Sequence, residues 1–109
     1  MNEIKEITEK IIEFRDKRNW KQFHNSKDLA LALSIEAAEL NEVFLWKKHE
    51  EADVERIKEE LADVLTFALL LANNYKLNVK KIIEKKFIIN NKKYPVTKSK
   101  NSAKKYNEP

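Results

Sequence analysis

Residues 61–72 read LADVLTFALLLA, and how this stretch is read decides the fold. Residues 53–60, DVERIKEE, lead into it with polar side chains on most faces, and together the two runs predict one helix from about Asp53 to Asn74. Its second half is apolar all round, apart from Asp63 and Thr66. A helix that is apolar on every side must be covered on every side. The stretch is shorter than the roughly 20 residues of a membrane span, so its cover is expected to be protein. A chain of 109 residues forms a single domain, too small to wrap one helix unaided. A second subunit is therefore expected over this helix.

Outward from this helix, hydrophobic spacing predicts three more. The first runs from about Glu3 to Lys17, with Ile4, Ile7, Ile11 and Phe14 on one face and Asn2 as its N-cap. Arg18 to Asn25 breaks the pattern and reads as a loop carrying Trp20, Phe23 and His24. The second helix is expected from Ser26, a cap with Asp28 in the first turn, to about Lys48, striped by Leu29, Leu33, Leu40 and Val43. The fourth spans about Asn78 to Asn91. The expectation is all-α: a four-helix-bundle-type domain over residues 1–95, followed by a basic, flexible tail over 96–109.

Composition narrows the chemistry. The chain has no glycine, which excludes the Walker-A and dinucleotide-binding loops that need it for positive φ and close backbone approach. It has no cysteine, so thiolate metal sites and cysteine nucleophiles are excluded too. The N-terminus mixes acids and bases without an apolar signal core, and a cytoplasmic, non-membrane protein is expected. Charge is uneven. Residues 1–74 carry 11 Lys and Arg against 16 Asp and Glu, whereas residues 75–109 carry 11 Lys against 2 Glu. The acidic part can gather cations and the basic part can meet phosphates.

The informative carboxylates are those on apolar faces. At 3.6 residues per turn Glu36 points the same way as Leu29, Leu33, Leu40 and Val43. Glu39 lies on the line of Ile35, Val43 and Trp46. Glu60 and Asp63 repeat the i, i+3 spacing, and Asp63 shares a face with Phe67 and Leu70. Two helices thus each offer two acids beside an apolar seam, where unpaired anions are costly. A divalent cation between them removes that cost. Oxygen ligands alone favour a hard ion, Mg²⁺ first with Mn²⁺ as its substitute. A di-iron bundle needs Glu-x-x-His on two helices, and neither His24 nor His49 follows a glutamate at that spacing. Glu50, Glu51, Glu55 and Glu59 read as an ordinary solvated face.

IEAAEL at 35–40 and EELADVL at 59–65 resemble the Glu-x-x-Glu … Glu-x-x-Asp signature of the MazG-like pyrophosphohydrolases. RNWKQFH at 18–24, EVFLWK at 42–47 and KFIINNKKYP at 86–95 are similar to the branch that includes dCTP pyrophosphatases. The resemblance covers roughly residues 3–95. It implies a helical bundle, assembled as a dimer or a dimer of dimers, that hydrolyses nucleoside triphosphates to monophosphate and pyrophosphate. By motif position it implies Glu36, Glu39, Glu60 and Asp63 as magnesium ligands, and Trp20, His24 and Trp46 as walls of a nucleoside pocket. It likewise implies Lys86, Asn90 and Tyr94 as a C-terminal element that reaches the phosphates.

The chain also departs from the family pattern. Phe67 stands where dCTP-type relatives tend to carry tyrosine, and Ile11 where some carry a polar base-contacting residue. Both departures loosen cytosine selectivity.

Glu36 or Glu39 is the expected general base for water attacking the α-phosphorus. Lys86 or Lys93 would add positive charge where pyrophosphate leaves. Deoxyribose preference is a further expectation of the resemblance. The competing reading is a non-enzymatic helical dimerisation module, which explains the apolar stripes but not the acids within them. Specific nucleic-acid binding through the tail is not expected, because its lysines have few interleaved aromatics.

Overall fold

The computed structural model describes residues 2–103. Five α-helices follow one another: α1 (Glu3–Lys17), α2 (Ser26–Glu42), α3 (Val54–Asn74), α4 (Val79–Lys93) and the single turn α5 (Val96–Ser99). Short 3-10 turns cover Trp20–Phe23 and His49–Glu51, and no strand occurs among the described residues. The all-α expectation holds.

Each main helix starts on a short polar side chain that accepts from a backbone N–H otherwise left without a partner. Asn2 accepts from Ile4 N at 3.0 Å, Asn25 from Asp28 N at 2.9 Å, Asp53 from Glu55 N at 3.0 Å and Asn78 from Lys81 N at 3.0 Å. The cap of α2 is therefore Asn25, and Ser26 is the first helical residue. Asn25 also donates to the Asp28 carboxylate at 2.7 Å, which fixes it better than a serine hydroxyl could.

The ends are set without glycine. Asn19, Trp46 and Lys76 adopt left-handed φ values of 53°, 63° and 53°. Non-glycine residues there cost about 1–2 kcal/mol each, asparagine being the best tolerated. Beyond α3, Leu77 N reaches back to Ala72 O at 3.0 Å with Lys76 left-handed between them, the Schellman closure of a helix C-terminus. The end of α2 comes earlier than its stripe predicts, at Glu42 instead of about Lys48. From Val43 onward the N–H groups bond three residues back, Phe44 N to Asn41 O and Leu45 N to Glu42 O, and the left-handed Trp46 turns the chain away.

Two compact units divide between Leu77 and Asn78. In the first, α2 and α1 both pack on α3. Its core is small: Leu29, Val43, Leu70 and Ala72 are buried, together with the charged Arg15. The apolar half of α3 is only partly covered, and Leu61 and Leu65 stay 43% and 54% exposed. The second unit holds α4 and α5, and α4 exposes Ile82, Ile83, Phe87 and Ile88. The expected tail falls partly on α5, and residues 104–109 lie outside the described residues. Among the described residues no helix is long and apolar enough to cross a membrane.

Candidate functional site

Packing of α2 on α3 brings together the acids that the i, i+3 spacing singled out. Ligand oxygens of Glu36, Glu60 and Asp63 all lie within 4.8 Å of one another. Oxygens around one octahedral Mg²⁺, at about 2.1 Å from it, are separated by roughly 3 to 4.2 Å, so modest side-chain motion would close the three on a single ion. Glu39 is not part of this trio, but it lies within hydrogen-bonding reach of both Glu36 and Glu60.

The electrostatics are those of acids crowded together with too little solvent. Burial, then a hydrogen bond and charge from Glu39, then Asp63 and Glu60, push the Glu36 carboxyl up to about 7. Glu60 is raised mainly by burial and by Glu39 and Asp63, with Arg56 partly opposing. Glu36 Oε2 and Glu60 Oε2 are buried without a hydrogen-bond partner. Buried carboxylate oxygens ordinarily have one. An all-oxygen trio with two orphaned atoms fits a hard divalent cation.

This arrangement has a pH signature. Unfolded, Glu36 titrates near 4.5; folded, near 7. The folded chain thus keeps a proton that the unfolded chain releases, so the group's contribution is complete below about 4.5 and is lost as pH rises through 7. In EDTA, Glu36→Gln should gain stability relative to wild type between pH 5 and 7.5, as read by thermal unfolding. A difference in melting temperature that is flat with pH contradicts the crowding.

The turn of α3 that follows Asp63 carries Phe67. The His24 ring meets Phe67 edge-on, at 6.3 Å between centroids. Burial and the nearby Arg15 charge hold the imidazole below its ordinary pKa, and its Nδ1 is buried without a partner. At the end of α3, Asn74 Nδ2 donates to His24 O at 3.1 Å and to Ser26 Oγ at 3.3 Å, tying the His24 segment to the same helix. Trp20 packs edge-on against Phe14 at 5.9 Å, with the Arg18 guanidinium 3.6 Å over the Phe14 ring, and stays 44% exposed.

Trp46, in contrast, is 99% exposed on its left-handed turn and lines nothing among the described residues. Lys86, Asn90 and Tyr94 belong to the second unit, on α4 and at its C-cap. The sequence reading passed over Arg15 and Asn74. The available signal for Arg15 was its position one turn past Ile11, continuing an apolar face; Asn74 gave none.

Fold and site together define a class: all-helical chains whose facing helices set an acidic, all-oxygen cluster beside an aromatic–histidine contact. Residues 31–108 match the family model described as the MazG-like family. The chain belongs to the MazG-like family. It is 36% identical over 104 residues to dCTP pyrophosphatase 1 of Bos taurus, covering 88% of this chain and 62% of that protein. Against the Homo sapiens dCTP pyrophosphatase 1 the identity is 35%, covering 88% and 61%. The chain thus spans somewhat less than two thirds of the length of these curated relatives. A crystal structure of a pyrophosphatase from Archaeoglobus fulgidus superposes with a TM-score of 0.79 at 33% identity, covering 87% of this chain and 94% of that one.

Proposed function

We propose that this protein is a Mg²⁺-dependent nucleoside triphosphate pyrophosphohydrolase, acting on deoxynucleotides such as dCTP or dATP and releasing monophosphate and pyrophosphate. The observation that carries the reading is the trio of Glu36, Glu60 and Asp63 oxygens within 4.8 Å, two of whose carboxylates have orphaned buried atoms. The names of the relatives, dCTP pyrophosphatase and pyrophosphatase, support the reaction class. A structural or interaction role leaves the crowded acids without a purpose.

Glu36, Glu60 and Asp63 would hold the ion, with Glu39 completing or bracing the set. The bound ion supplies positive charge against the triphosphate and makes water a better nucleophile near neutral pH. Glu36 or Glu39, whichever oxygen is spare, takes the proton from the attacking water. The water oxygen bonds to the α-phosphorus as the bond from that phosphorus to the bridging oxygen breaks, and pyrophosphate carries away the electron pair. Phe67, one turn after Asp63, and His24, whose ring meets it, would border the nucleoside, and the depressed imidazole pKa keeps His24 neutral there. Trp20 and Trp46 join the pocket on motif position. By motif position Lys86, Asn90 and Tyr94 would reach the phosphates instead, with Lys86 or Lys93 opposing charge on the departing pyrophosphate.

A homodimer or homotetramer is part of the proposal, supported by the exposed Leu61 and Leu65 of α3. So is a cytoplasmic location. Purified protein should release one pyrophosphate per monophosphate from a panel of dNTPs and NTPs, with Mg²⁺ required and replaceable by Mn²⁺. Release of orthophosphate alone, or no turnover of any triphosphate, would overturn the reading; equal dNTP and NTP rates would remove the deoxyribose preference.

A further inference from the structure

Asn74 is the last residue of α3, and its side-chain amide reaches a segment 50 residues earlier in the chain. Its Nδ2 donates to His24 O at 3.1 Å and to Ser26 Oγ at 3.3 Å. An amide nitrogen carries two hydrogens, so both are spent on this connector, one on each side of Asn25. His24 N already donates to Lys21 O at 3.0 Å, within the 3-10 turn that His24 closes. Both backbone polar groups of His24 are therefore engaged, one by its own turn and one by α3. The amide is itself held in place, because α3 ends in a closed turn, with Leu77 N returning to Ala72 O across the left-handed Lys76.

The place of Asn74 on α3 gives these bonds their meaning. Asp63, Phe67, Leu70 and Asn74 follow at spacings of four, three and four residues, a single stripe on a helix of 3.6 residues per turn. Asp63 belongs to the acidic trio at one end of the stripe. Phe67 meets the His24 ring at 6.3 Å, Leu70 is buried, and Asn74 binds the His24 backbone at the other end. Ring and backbone of His24 are thus both set by the helix that carries Asp63. His24 Nδ1 is buried without a partner, whereas buried side-chain nitrogens ordinarily have one. Hydrogen bonds between exposed groups, as these two are, add little to overall stability. What they supply is placement.

We propose that Asn74 is a positioning residue, pinning the His24 peptide to the end of α3 and so holding the imidazole against Phe67, where it meets the nucleoside. The inference rests on the nucleotide-hydrolase reading and adds to it a residue, outside the pocket, that sets substrate affinity.

Steady-state hydrolysis of dCTP by Asn74→Ala in Mg²⁺, together with NMR of the histidine rings, tests it. Asn74 is exposed, so alanine should enter without unfolding the chain. KM should rise about tenfold while kcat stays within about twofold, the pattern of lost binding with the reacting groups intact. In a His24→Ala background the same substitution should change KM by less than about twofold, because a residue that acts through another has nothing left to act on. A role confined to closing the helix end would lower the melting temperature and leave KM where it was. The sequence has two histidines, and His49, with its side chain 86% exposed, is the internal reference. In the ligand-free chain Asn74→Ala should shift the His24 ring resonances and leave those of His49 in place.

An unchanged KM in Asn74→Ala, a full tenfold rise in the His24→Ala background, or His24 resonances that do not move each overturn the proposal. A wild type that hydrolyses no triphosphate overturns the hydrolase reading and the substrate role of Asn74 with it. The ring resonances need no substrate, so they show separately whether Asn74 holds His24.

Discussion

Asp63→Asn should lower Mg²⁺-dependent pyrophosphate release by on the order of 10²–10³-fold without unfolding the protein. Asp63 is the exposed member of the trio, so the amide can enter with little repacking. It keeps the shape and removes one anionic oxygen from a set that would hold the cation by charge. The metal-free chain should lose no stability, because the substitution removes a negative charge that raises both Glu36 and Glu60. Stabilisation by ligand separates the two effects. At a hundredfold excess over its dissociation constant a bound ion adds about 2.7 kcal/mol, and a melting curve in Mg²⁺ should show that gain in wild type and little of it in Asp63→Asn. Full activity in a folded Asp63→Asn protein would mean that the acids converge for some other reason.

The largest effect on stability is expected from Leu29→Ala. Leu29 is 1% exposed, and it shares the small core of the first unit with Val43, Leu70 and Ala72. Truncating a buried leucine costs about 2–5 kcal/mol, the spread reflecting how far neighbours collapse into the cavity. Domains have only about 5–15 kcal/mol in total, so the urea midpoint should fall by on the order of a third, and Glu36, two turns along the same stripe, should lose its placement. Leu65→Ala is the contrasting case, since Leu65 is 54% exposed. In an isolated chain it should cost no more than about 0.5 kcal/mol; a larger, concentration-dependent loss would locate the subunit interface. Wild-type stability in the Leu29→Ala protein would contradict the placement of the core.

What the sequence reveals follows from how local each cause is. The limits of α1 and α3 are legible because Asn2 and Asp53 are caps written at the helix start and the apolar period runs unbroken behind them. The end of α2 is not, because Leu40, Val43, Phe44 and Leu45 continue to read as helix, while the stop comes from a tryptophan in the left-handed region that propensity disfavours. Glu36, Glu60 and Asp63 are legible as a set because each interrupts an apolar face, and an anion there needs a reason. Glu39, one turn from Glu36, is equally legible as a neighbour, but whether it joins the oxygens depends on side-chain reach that spacing does not specify. Arg15 reads as an ordinary last-turn cation favoured by the helix dipole, and only tertiary packing shows that it is enclosed. Asn74 is invisible for the same reason, since its partners His24 and Ser26 lie 50 and 48 residues away.

Convergence of α2 and α3 carboxylates on one divalent ion is the claim beneath all of this, and anomalous scattering from crystals grown in Mn²⁺ tests it most directly. A manganese peak about 2.0–2.3 Å from oxygens of Glu36, Glu60 and Asp63 is the expected result. Manganese found only elsewhere, with the three carboxylates still clustered around no ion, would contradict it.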